Sequence, residues 1–76
     1  MTADLGNVDS MDILAYIYGA QNNTEKEFYW CKKAMENGSI TATFNLAGMY
    51  YGGIACQQDY KEAHRLYAIA AETGHL

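Results

Sequence analysis

Cys31, Cys56, His64 and His75 are the side chains of this chain that could set a thiol nucleophile beside an imidazole base. Such a pair works only with the two groups in hydrogen-bond reach and a third residue orienting the base. His64 stands beside Arg65, the setting of a surface histidine, and His75 is the penultimate residue. Nothing is placed to orient a Cys–His pair. The cysteine spacing is neither CxxC nor a zinc-ligand pattern. A disulfide would need an oxidising compartment and Cα atoms within about 7 Å. Both thiols read as small, buried, apolar residues.

The carboxylates have a simpler use than acid–base chemistry. Asp9 and Asp12 fall at the start of one helical segment, and Glu25, Glu27, Asp59 and Glu62 at the starts of two others. Acids are favoured there by the positive end of the helix dipole. No three or four His, Cys or acid residues converge with metal-ligand spacing. "GMYYGG", Gly48–Gly53, has neither a Walker lysine nor a GxGxxG pattern. The expectation is therefore no catalytic residue, no cofactor and no metal. A Cys/His-dependent hydrolase is the least favoured reading, and thiol alkylation in the native state tests it.

Composition narrows the partners. Half of the 76 residues are apolar, which favours a folded single domain over a disordered tail. A net charge of −4 with five Lys and Arg makes nucleic acid a poor partner, since that affinity rests on neutralising phosphates. No apolar run reaches the roughly 18 to 20 residues of a membrane-spanning helix. "MTADLGNVDS" lacks the basic start and apolar core of a signal peptide, so a soluble, cytoplasmic protein is expected.

What must position these residues is a pattern written twice. "NTEKEFYWCKKAMENG", Asn23–Gly38, and "DYKEAHRLYAIAAETG", Asp59–Gly74, superimpose at an offset of 36. Trp30 then meets Leu66, Cys31 meets Tyr67, Ala34 meets Ala70 and Met35 meets Ala71. Upstream, at an offset of 32, Leu14, Ala15, Ile17 and Tyr18 meet Leu46, Ala47, Met49 and Tyr50. Each unit reads as two helices joined by a turn, from apolar spacings of three and four. The predicted helices are Ser10–Gly19, Thr24–Asn37, Ile40–Tyr51 and Tyr60–Thr73. Thr24 with Glu27, and Asp59 with Glu62, read as capping boxes, and Gly38 and Gly74 as glycine stops. Helix-turn-helix units with a period of 32 to 36 indicate an all-α fold of α-α hairpin repeats, a short α-solenoid.

The second unit resembles a Sel1-like repeat, a tetratricopeptide-related family. Ala42, Leu46, Tyr50, Gly53, Asp59, Tyr60, Lys61, Ala63, Tyr67, Ala70, Ala71 and Gly74 fall in order on that pattern. Residues 7–38 form the first repeat, with a shortened loop, and 39–74 the second, within one domain over 1–76. Ala47 and Ala55 stand where the pattern has glycine, Cys56 where it has valine, and Glu27 where it has alanine. Cys31 lies at the pattern's inward-packing aromatic position. "ADLG", Ala3–Gly6, echoes "AETG", Ala71–Gly74, as if the chain were two repeats of a longer array or a very small array without caps.

The resemblance implies a non-catalytic protein-interaction module. Its core positions on the first helix of each unit are Leu14, Ala15, Tyr18, Leu46, Ala47 and Tyr50, which leaves Asp12, Ile13, Tyr16, Phe44, Asn45 and Tyr51 for a concave face that holds a peptide or protein. Aromatics suit that role because they bury much area at little entropic cost. Asn45 could bond a peptide backbone, and Asp12 would favour a basic ligand. A rival reading takes the aromatics as packing for a neighbouring repeat. Another makes the acidic chain an inhibitor or immunity-type protein that neutralises one basic partner. Solenoids usually need about three repeats, so self-association through the end faces, near Leu5, Ile40 and Leu76, or low stability as a monomer is also expected.

Overall fold

A computed structural model describes residues 8–74, which hold four helices and no strand. They are α1 (Val8–Ala20), α2 (Thr24–Glu36), α3 (Ile40–Gly52) and α4 (Tyr60–Gly74). The chain is all-α over these residues. Leu5, His75, Leu76 and the "ADLG" stretch lie outside them.

Three helix ends share one closure. The amides of Asn23, Ser39 and Ile54 donate to the carbonyls of Tyr18, Ala34 and Met49, five residues back, at 2.8, 2.9 and 2.9 Å. Each closure places the preceding residue in the left-handed region: Asn22 at φ 60°, Gly38 at 96° and Gly53 at 69°. Glycine reaches that region without a Cβ clash, and asparagine tolerates it better than most residues. The stop after α1 is therefore an asparagine doing what glycine does after α2 and α3. At the far end α4 runs through Gly74, which is helical.

The starts are capped by side chains, with one correction. Ser39 Oγ accepts from the Ala42 amide at 3.0 Å, and Asp59 Oδ1 accepts from the Glu62 amide at 3.0 Å. For α2 the cap is Asn23, whose Oδ1 accepts from the Lys26 amide at 3.4 Å, and Thr24 is the first helical residue. Neither capping box closes. Glu62 is engaged by Arg65, and the Asp59 amide donates to the Tyr50 carbonyl at 2.9 Å.

The substantial packing runs only between consecutive helices: α1 on α2, α2 on α3 and α3 on α4. The result is a slab of 37 × 30 × 16 Å. The principal core joins Ala15, Cys31, Leu46, Ala47, Met49 and Leu66, one or more residues from each helix. A smaller cluster of Met11, Ala34 and Ala42 lies beside it, and Trp30 and Met35 pack against both. Trp30 is half-buried rather than enclosed. In α1 Met11 takes a buried place, while Leu14 is half-buried. The largest departure is in α4, where Tyr67 remains 38% exposed although its counterpart Cys31 is fully buried. Cys31 sits within the principal core, whereas Tyr67 lies beside Phe44 and Gly48 of α3, outside that core.

The two connections differ in length and conformation. Gln21–Asn23 is a three-residue turn, whereas residues 53–59 form a longer loop with Ala55 at φ 61°. In that loop Gln58 Nε2 donates to the Tyr51 carbonyl at 3.0 Å and to the Tyr60 hydroxyl at 3.1 Å.

Candidate functional site

Helices α1 and α3 are the outer walls of a groove of about 520 Å³, within the roughly 300–1,000 Å³ typical of ligand sites. Asp12, Ala15, Tyr16, Gly19 and Ala20 line it from α1, Thr41 and Asn45 from α3, and Glu27 from α2. Small residues make the concavity: Ala15, Gly19 and Ala20 leave the α1 side shallow in side chain, so the adjacent polar groups reach into it. Tyr16 stands at the rim, 77% exposed.

The six residues expected on the concave face divide. Asp12, Tyr16 and Asn45 come together in the groove. Ile13, Phe44 and Tyr51 are exposed but do not line it. Phe44 instead packs against Tyr67, with ring centroids 5.9 Å apart, and Tyr51 against Tyr60 at 5.1 Å, so both belong to the contact between α3 and α4. The helical period alone does not reveal this, because it depends on where the loop delivers α4.

Asp12 also has a structural duty. The buried Ser39 hydroxyl donates to its carboxylate, lying 2.8 and 3.0 Å from the two oxygens, while the same oxygen caps α3. The carboxylate thus ties α1 to the start of α3, where the helix dipole favours negative charge.

Glu27 is the groove residue that sequence reasoning missed as a site. Its carboxylate lies against the bare backbone of Gly19, with Oε2 2.7 Å from the place a Cβ would occupy. Any side chain on Gly19 would displace it. The clue in the sequence is Glu27 standing where the repeat pattern has a small residue.

Beneath the groove, burial pushes the Cys31 thiol up to about 11, and the Glu27 and Asp12 carboxylates add to the rise. Cys56 is half-buried and its thiol donates to the Met49 carbonyl at 3.5 Å; burial and Asp59 raise its pKa as well. A thiol held protonated is a poor nucleophile near neutral pH. His64 is exposed on α4. Among the described residues no three His, Cys, Asp or Glu side chains group as a metal site, and no helix is long and apolar enough to cross a membrane. No protein-family model matches this chain, and no solved structure matches it.

Proposed function

We propose that this chain is a non-catalytic protein-binding module, built of two Sel1-like repeats of the tetratricopeptide type, that holds a peptide or protein segment in the groove between α1 and α3. The observation that carries the reading is the convergence of Asp12, Tyr16 and Asn45, from two helices, on one concavity of ligand size. Two further features support the repeat arrangement. The substantial packing passes between consecutive helices, as in an open stack. Ala55 adopts a left-handed conformation at the position where the repeat pattern has glycine. Under the same reading, the end faces of the stack are the surfaces for self-association, and sedimentation at micromolar concentration that shows only monomer would remove them.

The test is the affinity of a partner retained by the immobilised chain and identified by mass spectrometry. Tyr16→Ala and Asn45→Ala each weaken binding at least tenfold, about 1.4 kcal/mol, with helical content unchanged. Full affinity in both variants, with loss on Lys61→Ala or His64→Ala, would place the site on the outer surface of α4 and overturn the proposal.

A further inference from the structure

We infer that the segment held in the groove is basic, and that an arginine or lysine side chain enters beside Glu27. This inference rests on the groove being the binding surface and adds the chemistry of its occupant.

The first observation is the segregation of charge. All five Lys and Arg residues, Lys26, Lys32, Lys33, Lys61 and Arg65, belong to α2 and α4. Helix α1 carries Asp9 and Asp12 with no basic residue, and α3 carries no charged residue at all. The groove is lined by two carboxylates and no cation.

The second observation concerns the state of those carboxylates. Asp12 is occupied by Ser39 and by the start of α3. Glu27 has neither a hydrogen-bond donor nor an ion pair on its carboxylate among the described residues, the one salt bridge there being Arg65 with Glu62. It is half-buried, and it is held against Gly19 at the groove wall. A partly desolvated carboxylate without a donor gains more from an incoming cation than an exposed one does, because screening is weaker there. The neighbouring groups suit a basic side chain. Tyr16 offers a ring for a cation or a guanidinium plane, and the Asn45 amide can accept from and donate to the accompanying peptide backbone. Ala15 and Ala20 leave room for an aliphatic stem. The acidic and aromatic walls together disfavour an acidic segment, in which like charges would face each other.

The experiment is a two-dimensional NMR titration of the full chain with the blocked pentapeptide Ac-Ala-Ala-Arg-Ala-Ala-NH2 and with its counterpart carrying citrulline, the neutral isostere of arginine. The arginine peptide produces saturable shifts at the amides of Gly19, Ala20, Thr41 and Asn45. Citrulline weakens binding at least tenfold. Glu27→Gln weakens arginine binding by a similar factor, and so does Gly19→Ala, which keeps the charge but displaces the carboxylate. No saturable shift up to about 10 mM, equal affinity for citrulline, or shifts centred on α4 would overturn the inference. The two levels separate cleanly. A captured partner lost on Tyr16→Ala but indifferent to Glu27→Gln refutes the basic occupant alone, whereas a partner indifferent to Tyr16→Ala and Asn45→Ala refutes the groove itself.

Discussion

The two hairpins, α1 with α2 and α3 with α4, use the same helix-turn-helix plan but fill the core differently. The first encloses only the small Cys31 and Ala34 fully, buries Ala15 and Met11, and packs Phe28, Trp30 and Met35 partly open against the core. The second contributes Leu46 and Leu66, the largest of the fully buried side chains. Small residues on α1 leave a concavity, and large ones beneath α3 and α4 hold the slab together. Charge divides by helix rather than by hairpin, with acids and no bases on α1, no charge on α3 and every base on α2 or α4. The hairpin that forms most of the groove is the one whose fully enclosed side chains are small and whose core-facing aromatics stay partly open. Stability and recognition fall largely on different residues, and the two can be broken separately.

The largest effect should come from the second hairpin's bulk. Leu66→Ala and Leu46→Ala each remove a fully buried side chain and should cost about 2 to 5 kcal/mol. Trp30→Ala should cost less than its size suggests, because the ring is half-buried. Urea titration followed by circular dichroism gives the order. A Trp30→Ala loss above both leucine variants would mean that the first hairpin carries the core.

The tie between the hairpins ranks next. Ser39→Ala removes both the cap of α3 and the donor to the Asp12 carboxylate, which should cost about 1 to 3 kcal/mol in the same titration. Ser39→Thr, which keeps a hydroxyl, should recover part of the loss. Equal loss in both variants would point to steric crowding rather than to the hydrogen bonds.

Ala55→Gly should act in the opposite direction and raise stability by about 1 kcal/mol, since a Cβ at φ 61° is strained in the longer connection. Gly38→Ala, at φ 96° after α2, should lose about as much. A neutral result at position 55 would show that its neighbours absorb the strain.

The smallest perturbation compares the two thiols. Iodoacetamide should modify the half-buried Cys56 well before Cys31, whose thiolate fraction at pH 8 is about a thousandth for a pKa near 11. Mass spectrometry of the time course decides. Early labelling of Cys31 would mean that the groove floor opens and would return the thiol to consideration as a reactive group. The raised pKa of Cys31 also sets a direction with pH. The protonated thiol is favoured in the folded state, so its stabilising contribution is complete below the ordinary thiol pKa and is lost as pH rises toward 11.

Much of the helical framework is legible in the sequence. Apolar spacing put the second helix at Thr24–Asn37 and the third at Ile40–Tyr51, and the structure has Thr24–Glu36 and Ile40–Gly52. What the period could not supply was rotation about each axis. The family resemblance puts Leu14 and Tyr67 at core positions, whereas Met11 is the buried residue in α1 and Tyr67 packs partly open against Phe44 of α3. The left-handed turn at Asn22 carries no glycine, the residue that marks the stops after α2 and α3. Within the groove, Asp12, Tyr16 and Asn45 were readable from the face they share, while Glu27 was not, since an acid three residues after Thr24 reads first as a cap.

The most direct test of the central claim, that the face shared by α1 and α3 is the recognition surface, is cross-saturation NMR of the isotope-labelled chain bound to its captured protein partner. The account predicts that saturation transfer is strongest at Tyr16, Gly19, Thr41 and Asn45 and weak at Lys61, His64 and Arg65. Transfer concentrated on the α4 residues, with the groove amides unaffected, would contradict it.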